Sequence, residues 1–359
     1  MLSRLRALFS PGASLKGRAL KGGVVAVGGF GTAQGLRLAS NLIMTRLLAP
    51  DAFGLMAIVL SIEILIGMLS DLGLDASIMR SKNGADPAFL ATARTMQLAR
   101  SLFIALVMVA IAAALPALAA AGVVPAGTVY ADPRLPLFMA LMALSVAVTG
   151  FNAMRVALHN RSLNLVPVIR LELGSQTVGV VATVAGALAG FGAYALAFGA
   201  VIGAAAKAAG SHVFLSGPPA RFGFDRSHFD EIFGYGKWLL LASTLGWLVQ
   251  RGDQALFGWL FESTAFGLYS IAVIWIFSAR NLIETVQRRV AYPAMSEIHR
   301  ERPHDLSRVY QRMRLVYEGG CLGLFLAVVA FADLAIGFLY SDAYAGVAHY
   351  IRLLSVTLL

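Results

Sequence analysis

The sequence holds a single cysteine, Cys321, so the chain can form no disulfide with itself and no cysteine-built metal cluster. Charge is scarce too: Asp, Glu, Lys and Arg make up 13% of 359 residues, where a water-soluble domain carries roughly 25%. Missing as well are a glycine-rich nucleotide loop, a paired metal-ligand motif and a sizeable soluble domain to hold a catalytic site. These absences argue against an enzyme and imply no cofactor. The six histidines are scattered, mostly at or near helix ends or in loops, where a solvated or interfacial ring is the ordinary state.

Apolar residues are abundant, at 58%. They fall in blocks of about twenty, the length a helix needs to cross a hydrocarbon core of about 30 Å. Ten such blocks lie near 24–47, 53–72, 95–117, 135–157, 165–188, 191–214, 238–260, 265–287, 314–339 and 343–359. Helices are expected rather than a β-barrel, because the runs are continuous and not alternating, and a helix satisfies its own backbone in lipid. The fold class is therefore an all-α polytopic membrane protein. Small-xxx-small pairs, Gly31/Gly35 and Gly199/Gly203, are expected to let helix backbones approach closely.

The net charge is +10, which raises the question of nucleic acid, but the distribution of the charge answers it. The N-terminal segment and the even-numbered gaps between blocks hold the basic residues, Arg4, Lys21, Arg80, Arg161, Arg226 and Arg300 among them. The odd-numbered gaps hold only Arg46 and Arg134. This asymmetry places the N-terminus and every even gap in the cytoplasm. The basic balance is thus topology, with no nucleic-acid partner implied. Residues 1–23 are expected to remain as a basic cytoplasmic lead-in.

An internal repeat is visible. Ala52-Phe53-Gly54-Leu55 recurs as Ala265-Phe266-Gly267-Leu268, and at the same offset Asp71 falls on Glu284 and Asn41 on Gln254. The expected organisation is an N-lobe of six helices over 24–214, a cytoplasmic linker over 215–237 and a C-lobe from 238 to 359. Both lobes start from the same side, so the repeat is parallel, and binding sites in such transporters lie between the halves. At that offset Leu359 corresponds to Val146, inside the fourth block, so the C-lobe is expected to be truncated after about four helices. About ten helices would then be present of an expected twelve or more.

Polar residues inside apolar blocks cost about 2.5–3.5 kcal/mol each at mid-bilayer on insertion scales when charged, so they must face protein, water or ligand. On the first block Gln34, Arg37, Asn41 and Thr45 share one helical face, as do Thr244, Trp247, Arg251 and Gln254 on the seventh, with Asp253 on another face. Arg280 and Glu284 lie along one side of the eighth, and Glu63 and Asp71 on the second. Arg280 with Glu284 is equally a natural structural ion pair. Arg37 and Arg251 have no acidic residue three or four positions away, which favours a functional role. Arg100, Lys207 and Arg288 lie nearer block ends and are expected to snorkel to the interface, and Arg170 and Glu172 sit early in the fifth. Arginines facing a central cavity suit a phosphate-bearing substrate. The candidates for substrate binding are thus Gln34, Arg37, Asn41, Arg251, Gln254 and Arg280; those for ion coupling are Glu63, Asp253 and Glu284.

The run from Thr45 through Leu48-Ala49-Pro50-Asp51-Ala52-Phe53-Gly54, followed by Ser70-Asp71-Leu72-Gly73-Leu74, resembles the polysaccharide flippases of the multidrug/oligosaccharidyl-lipid/polysaccharide superfamily. Gly252-Asp253-Gln254, Phe266-Gly267-Leu268-Tyr269 and Tyr292-Pro293-Ala294-Met295-Ser296 resemble its later landmarks, in order. The resemblance implies a two-lobe fold in the bacterial inner membrane. It also implies alternating-access transfer of undecaprenyl-diphosphate-linked oligosaccharide for O-antigen, capsule or exopolysaccharide, in company with a polymerase and glycosyltransferases. A multidrug or cation antiporter of the same superfamily is the alternative, favoured by Asp253 and Glu63. A membrane polymerase or glycosyltransferase would need a large outer loop or soluble domain, and the outer gaps here are short.

Overall fold

The structure, a computed structural model, describes residues 15–162, 164–219, 221–286 and 306–358. These form α-helices and 3-10 turns, with one isolated bridge from Thr128 to Glu262 and no strand among them. The helices are α1 (Leu15–Leu47), α2 (Pro50–Leu69), α3 (Leu74–Arg80), α4 (Pro87–Ala120), α5 (Leu135–Thr149), α6 (Arg155–Arg161), α7 (Leu165–Leu188), α8 (Tyr194–Val213), α9 (Arg226–Leu260), α10 (Ser263–Val286), α11 (Leu306–Leu339) and α12 (Val347–Ser355). Among the described residues six helices are long and apolar enough to cross a membrane: α2, α4, α7, α8, α10 and the Tyr317–Leu339 part of α11. α5 is apolar but shorter. The chain is an all-α polytopic membrane protein.

A helix occupies each of the ten apolar blocks, but several ends differ from the expected ones. α4 and α9 begin well before their apolar windows because an aspartate caps each. Asp86 accepts from the Ala88 amide at 3.4 Å, with Pro87 at the first helical position, and Asp225 accepts from the Ser227 and His228 amides at 2.9 and 3.2 Å. Hydropathy marks where lipid would be; caps mark where a helix ends. Among the described residues the tenth block holds the nine-residue α12, the end of a 3-10 turn, Asp342–Tyr344, and a second such turn, Val356–Leu358. Residues 1–14 of the basic lead-in and 287–305, with Arg288, lie outside the described residues.

The fourth block breaks after Thr149, where a continuous helix to 157 is expected from hydropathy. The reason lies in its neighbours' side chains. Gln97 Nε2 donates to the carbonyls of Gly150 and Asn152, both at 3.0 Å, and Ser211 Oγ accepts from the Ala153 amide at 2.8 Å. Backbone groups that a continuing helix would pair are satisfied from outside, so the break carries little penalty. Replacing Gln97 with leucine would leave two carbonyls unpaired, a loss of about 1–3 kcal/mol. Thermal unfolding of the purified protein should shift to lower temperature, and Gln97→Met, which loses the donors but keeps a side chain of similar length without adding charge, separates lost bonding from lost packing.

The chain divides into two compact units. The first comprises the described residues of 1–48 and 55–263. Its tightest pair is α7 with α8, where a Cβ added at Gly199 would fall 1.8 Å from Thr183 Oγ1 and 2.7 Å from the Gly179 carbonyl oxygen, and one at Gly203 would fall 3.3 Å from Gly179 Cα. The Gly199/Gly203 pair thus makes a close helix crossing. Gly31 and Gly35 do not: among the described residues nothing stands within 4 Å of where their Cβ atoms would be, because the face of α1 that meets α7 is the one bearing Gly29 and Ala33.

Connections within this unit alternate between two ends. At one, Arg161 bonds the carbonyls of Ile78 and Ser81, Arg155 Nη1 bonds those of His212 and Leu215 at 2.7 and 3.0 Å, and Thr95 Oγ1 bonds that of Gly223 at 2.8 Å. This joins the second, fourth and sixth gaps. Beneath them a core of Leu74, Ile78, Phe89, Leu90, Met96, Met154 and Ile232 binds α3, α4 and α9. At the other end, where α4 finishes about 50 Å away, the third and seventh gaps meet: the Ser263 amide donates to the Gly127 carbonyl at 3.1 Å, and the Tyr130 and Trp259 rings pack at 5.6 Å. Here burial pushes the Asp132 carboxyl up, but bonds from the Arg134 side chain and backbone outweigh it and hold the group below its ordinary value.

The second unit comprises the described residues of 49–54 and 264–359. The start of α2 lies against α10 so closely that a Cβ at Gly267 would fall 2.0 Å from the Pro50 carbonyl oxygen. Gly267 belongs to the second copy of the repeated tetrapeptide, and Pro50 stands just before the first. An aromatic cluster surrounds the contact: Phe53 and Tyr344 at 6.2 Å, Tyr340 and Tyr344 at 5.7 Å, and Trp275 Nε1 donating to Tyr340 Oη at 2.6 Å. Arg352 of α12 pairs with Asp333 of α11.

Candidate functional site

α1 carries the first polar stripe, and α7 holds it in place: Gln176 Nε2 donates to the Ala33 carbonyl at 3.2 Å, and Gly29 sits against Ile169. One turn beyond Ala33, Arg37 is exposed. Gln34 and Asn41 are half-buried, and the Asn41 amide nitrogen is buried without a hydrogen-bond partner among the described residues. Thr45 is buried, its hydroxyl spent on the Leu42 carbonyl at 3.0 Å. The stripe thus offers one guanidinium and one unsatisfied amide, both suited to oxygen-rich ligands.

On α9, Gln254 is buried at 4% exposure while its neighbour Asp253 is exposed, as residues one position apart on a helix should be. Arg251 and Glu284 lie on α9 and α10, with their side chains outside what is described. Arg280 on α10 is exposed, within the second unit. Glu63 on α2 has one carboxylate oxygen buried with no partner among the described residues. Arg37, Asn41 and Glu63 form no side-chain hydrogen bond or ion pair with one another.

Asp71 belongs elsewhere than expected. α2 ends at Leu69, and Asp71 stands in the turn beyond it, accepting from the Gly73 amide at 2.9 Å, while Gly73 takes a left-handed φ of 59°. Arg100, expected to snorkel, instead caps the end of α2. Its Nη2 donates to the Gly67 carbonyl at 2.7 Å and lies 4.0 Å from Asp71, and its Nε donates to Ser70 Oγ at 3.3 Å. Lys207 pairs with Glu172 at 3.5 Å. Burial and then Asp71 push the Asp75 carboxyl up, while Lys207 and Arg100 draw it down. These charges form a network across α2, α3, α4, α7 and α8. Single-helix patterns could not reveal it, since its members are far apart in sequence; the Ser70-Asp71-Leu72-Gly73 run was the one local sign.

Helices without a strand among the described residues, six of them long and apolar enough to cross a membrane, define a polytopic helical membrane protein. A family described as polysaccharide biosynthesis protein matches residues 43–349, well over half of the chain. The chain belongs to that family. No curated protein and no solved structure matches it.

Proposed function

We propose that this chain is a flippase that moves an undecaprenyl-diphosphate-linked oligosaccharide across the bacterial inner membrane, for O-antigen, capsule or exopolysaccharide, and is not itself an enzyme. The match over 43–349 to polysaccharide biosynthesis proteins carries the reading. The short outer gaps, which leave no room for a large outer loop or soluble domain, support transport over polymer synthesis. In this account the lipid tail stays in the bilayer while the diphosphate-sugar head passes between two lobes, 24–214 and 238–359, that rock about it. Arg37, Arg251 and Arg280 hold phosphate, and Gln34, Asn41 and Gln254 hold sugar or phosphate oxygens. The positive-inside rule sets the gaps bearing Arg80, Arg155, Arg161 and Arg226 in the cytoplasm. Glycosyltransferases and a polymerase act before and after the transfer.

Deleting the gene in its host should leave lipid-linked oligosaccharide accumulating on the cytoplasmic face and abolish surface polysaccharide, both restored by the intact chain. Normal surface polysaccharide in the deletion strain, with no accumulated intermediate, would refute the reading. The antiporter alternative draws on Glu63, a buried carboxylate oxygen without a partner among the described residues. It is supported instead if the chain confers drug or cation tolerance and leaves the lipid intermediate unchanged.

A further inference from the structure

α7 and α8 carry an open groove that none of the residues above explains. It encloses about 590 Å³ and is lined by Pro167, Arg170, Gly174, Val178, Ala206 and Phe214, among others. Among the described residues its one charged lining residue is Arg170, which is exposed and forms no hydrogen bond or ion pair with another of them. The nearest acid in sequence, Glu172, is engaged by Lys207. The rest of the lining is largely apolar, and the groove stays open past Gly174, where nothing stands within 4 Å of an added Cβ.

Depth along the helices assigns each part. Arg170 lies about 8 Å from the start of α7, and Phe214 follows the end of α8, so both stand near the level where arginine and aromatic side chains meet headgroups. Val178 lies deeper. From Pro167 to Val178 the groove runs about 16 Å along α7, close to half of a ~30 Å hydrocarbon core and hence one leaflet. A trough one leaflet long, apolar along its length and bearing at its polar end a guanidinium with no partner among the described residues, is complementary to an anionic amphiphile. A free anion would have no use for the trough.

We propose that this groove holds an anionic phospholipid of the leaflet beside the second, fourth and sixth gaps, with its phosphate on Arg170 and an acyl chain along Gly174 and Val178. The lipid is a resident ligand, and the assignment stands whichever substrate the protein carries.

The test uses the intact chain in phosphatidylcholine vesicles doped with photoactivatable phosphatidylglycerol or, in parallel, photoactivatable phosphatidylcholine. Adducts should concentrate on residues 167–178 and 206–214, with phosphatidylglycerol favoured about fivefold or more by the charge-assisted contact. Arg170→Ala should reduce phosphatidylglycerol to the phosphatidylcholine level, and Arg170→Lys should keep part of the preference. Gly174→Leu fills open space rather than displacing protein atoms, and should lower both adducts while the amount of folded protein holds. Adducts spread evenly over the outward helices, or equal labelling by the two lipids, or indifference to both Arg170→Ala and Gly174→Leu, would overturn the site. Displacement of the label by inorganic phosphate would make it a free-anion site, and stronger displacement by undecaprenyl phosphate a substrate-lipid site; either result overturns the phospholipid assignment.

Discussion

Changing Gly199 to leucine should remove the protein from the membrane fraction. At that position even a methyl group would meet Thr183 Oγ1 at 1.8 Å and the Gly179 carbonyl oxygen at 2.7 Å. The hydroxyl belongs to a side chain that can turn, but the carbonyl is helix backbone and can yield only by spreading α7 from α8. Gly199→Ala should therefore cost about 1–3 kcal/mol, and leucine more. Removing the hydroxyl as well, in Thr183→Ala/Gly199→Ala, should recover part of the loss and not all, because the carbonyl remains. Gly31→Leu is the matched control, since no described residue lies within 4 Å there, and it should accumulate normally. Membrane levels and melting temperatures read all four. Equal accumulation of Gly199→Leu and Gly31→Leu would mean that the α7–α8 crossing does not determine stability.

The second large effect is on transport. Arg37→Ala should lower polysaccharide export about tenfold or more at equal membrane level, the effect of losing at least one ~1.4 kcal/mol charge-assisted contact, and Arg251→Ala should do likewise. Arg37 is exposed and forms no ion pair or hydrogen bond with a described residue, so its removal should leave the melting temperature nearly unchanged. If the arginines grip a diphosphate, charge comes first and fork geometry second. Lysine should therefore restore part of the export where alanine and glutamine fail. Normal export by both alanine variants would make these arginines structural.

Helix existence was legible in the sequence because lipid-length apolar runs are a strong signal, and every one of the ten holds helix. Helix ends were less legible. Asp86 and Asp225 begin α4 and α9 on the polar side of the apolar windows, and Gln97 and Ser211 break the fourth block by reaching its backbone from other helices. Long-range partners of that kind leave no local periodicity. The same limit applied to charge. Positions of arginines gave the alternation of gaps, but not that Arg100 would cap α2, nor that Arg155 and Arg161 would tie gaps together through carbonyls. The glycine pairs divide similarly: small-xxx-small spacing fits both Gly31/Gly35 and Gly199/Gly203, and only the facing helix distinguishes them.

Flipping itself can be measured with the chain reconstituted in liposomes that contain lipid-linked oligosaccharide labelled on its outermost sugar, by adding a sugar-cleaving enzyme to the outside. In protein-free liposomes the enzyme should reach only outer-leaflet substrate and then stop. With the chain present, cleavage should continue into the inner-leaflet pool, and the Arg37→Ala/Arg251→Ala double variant should fall back towards the protein-free plateau. A plateau identical with and without the chain, in vesicles shown to contain folded protein, would contradict the account.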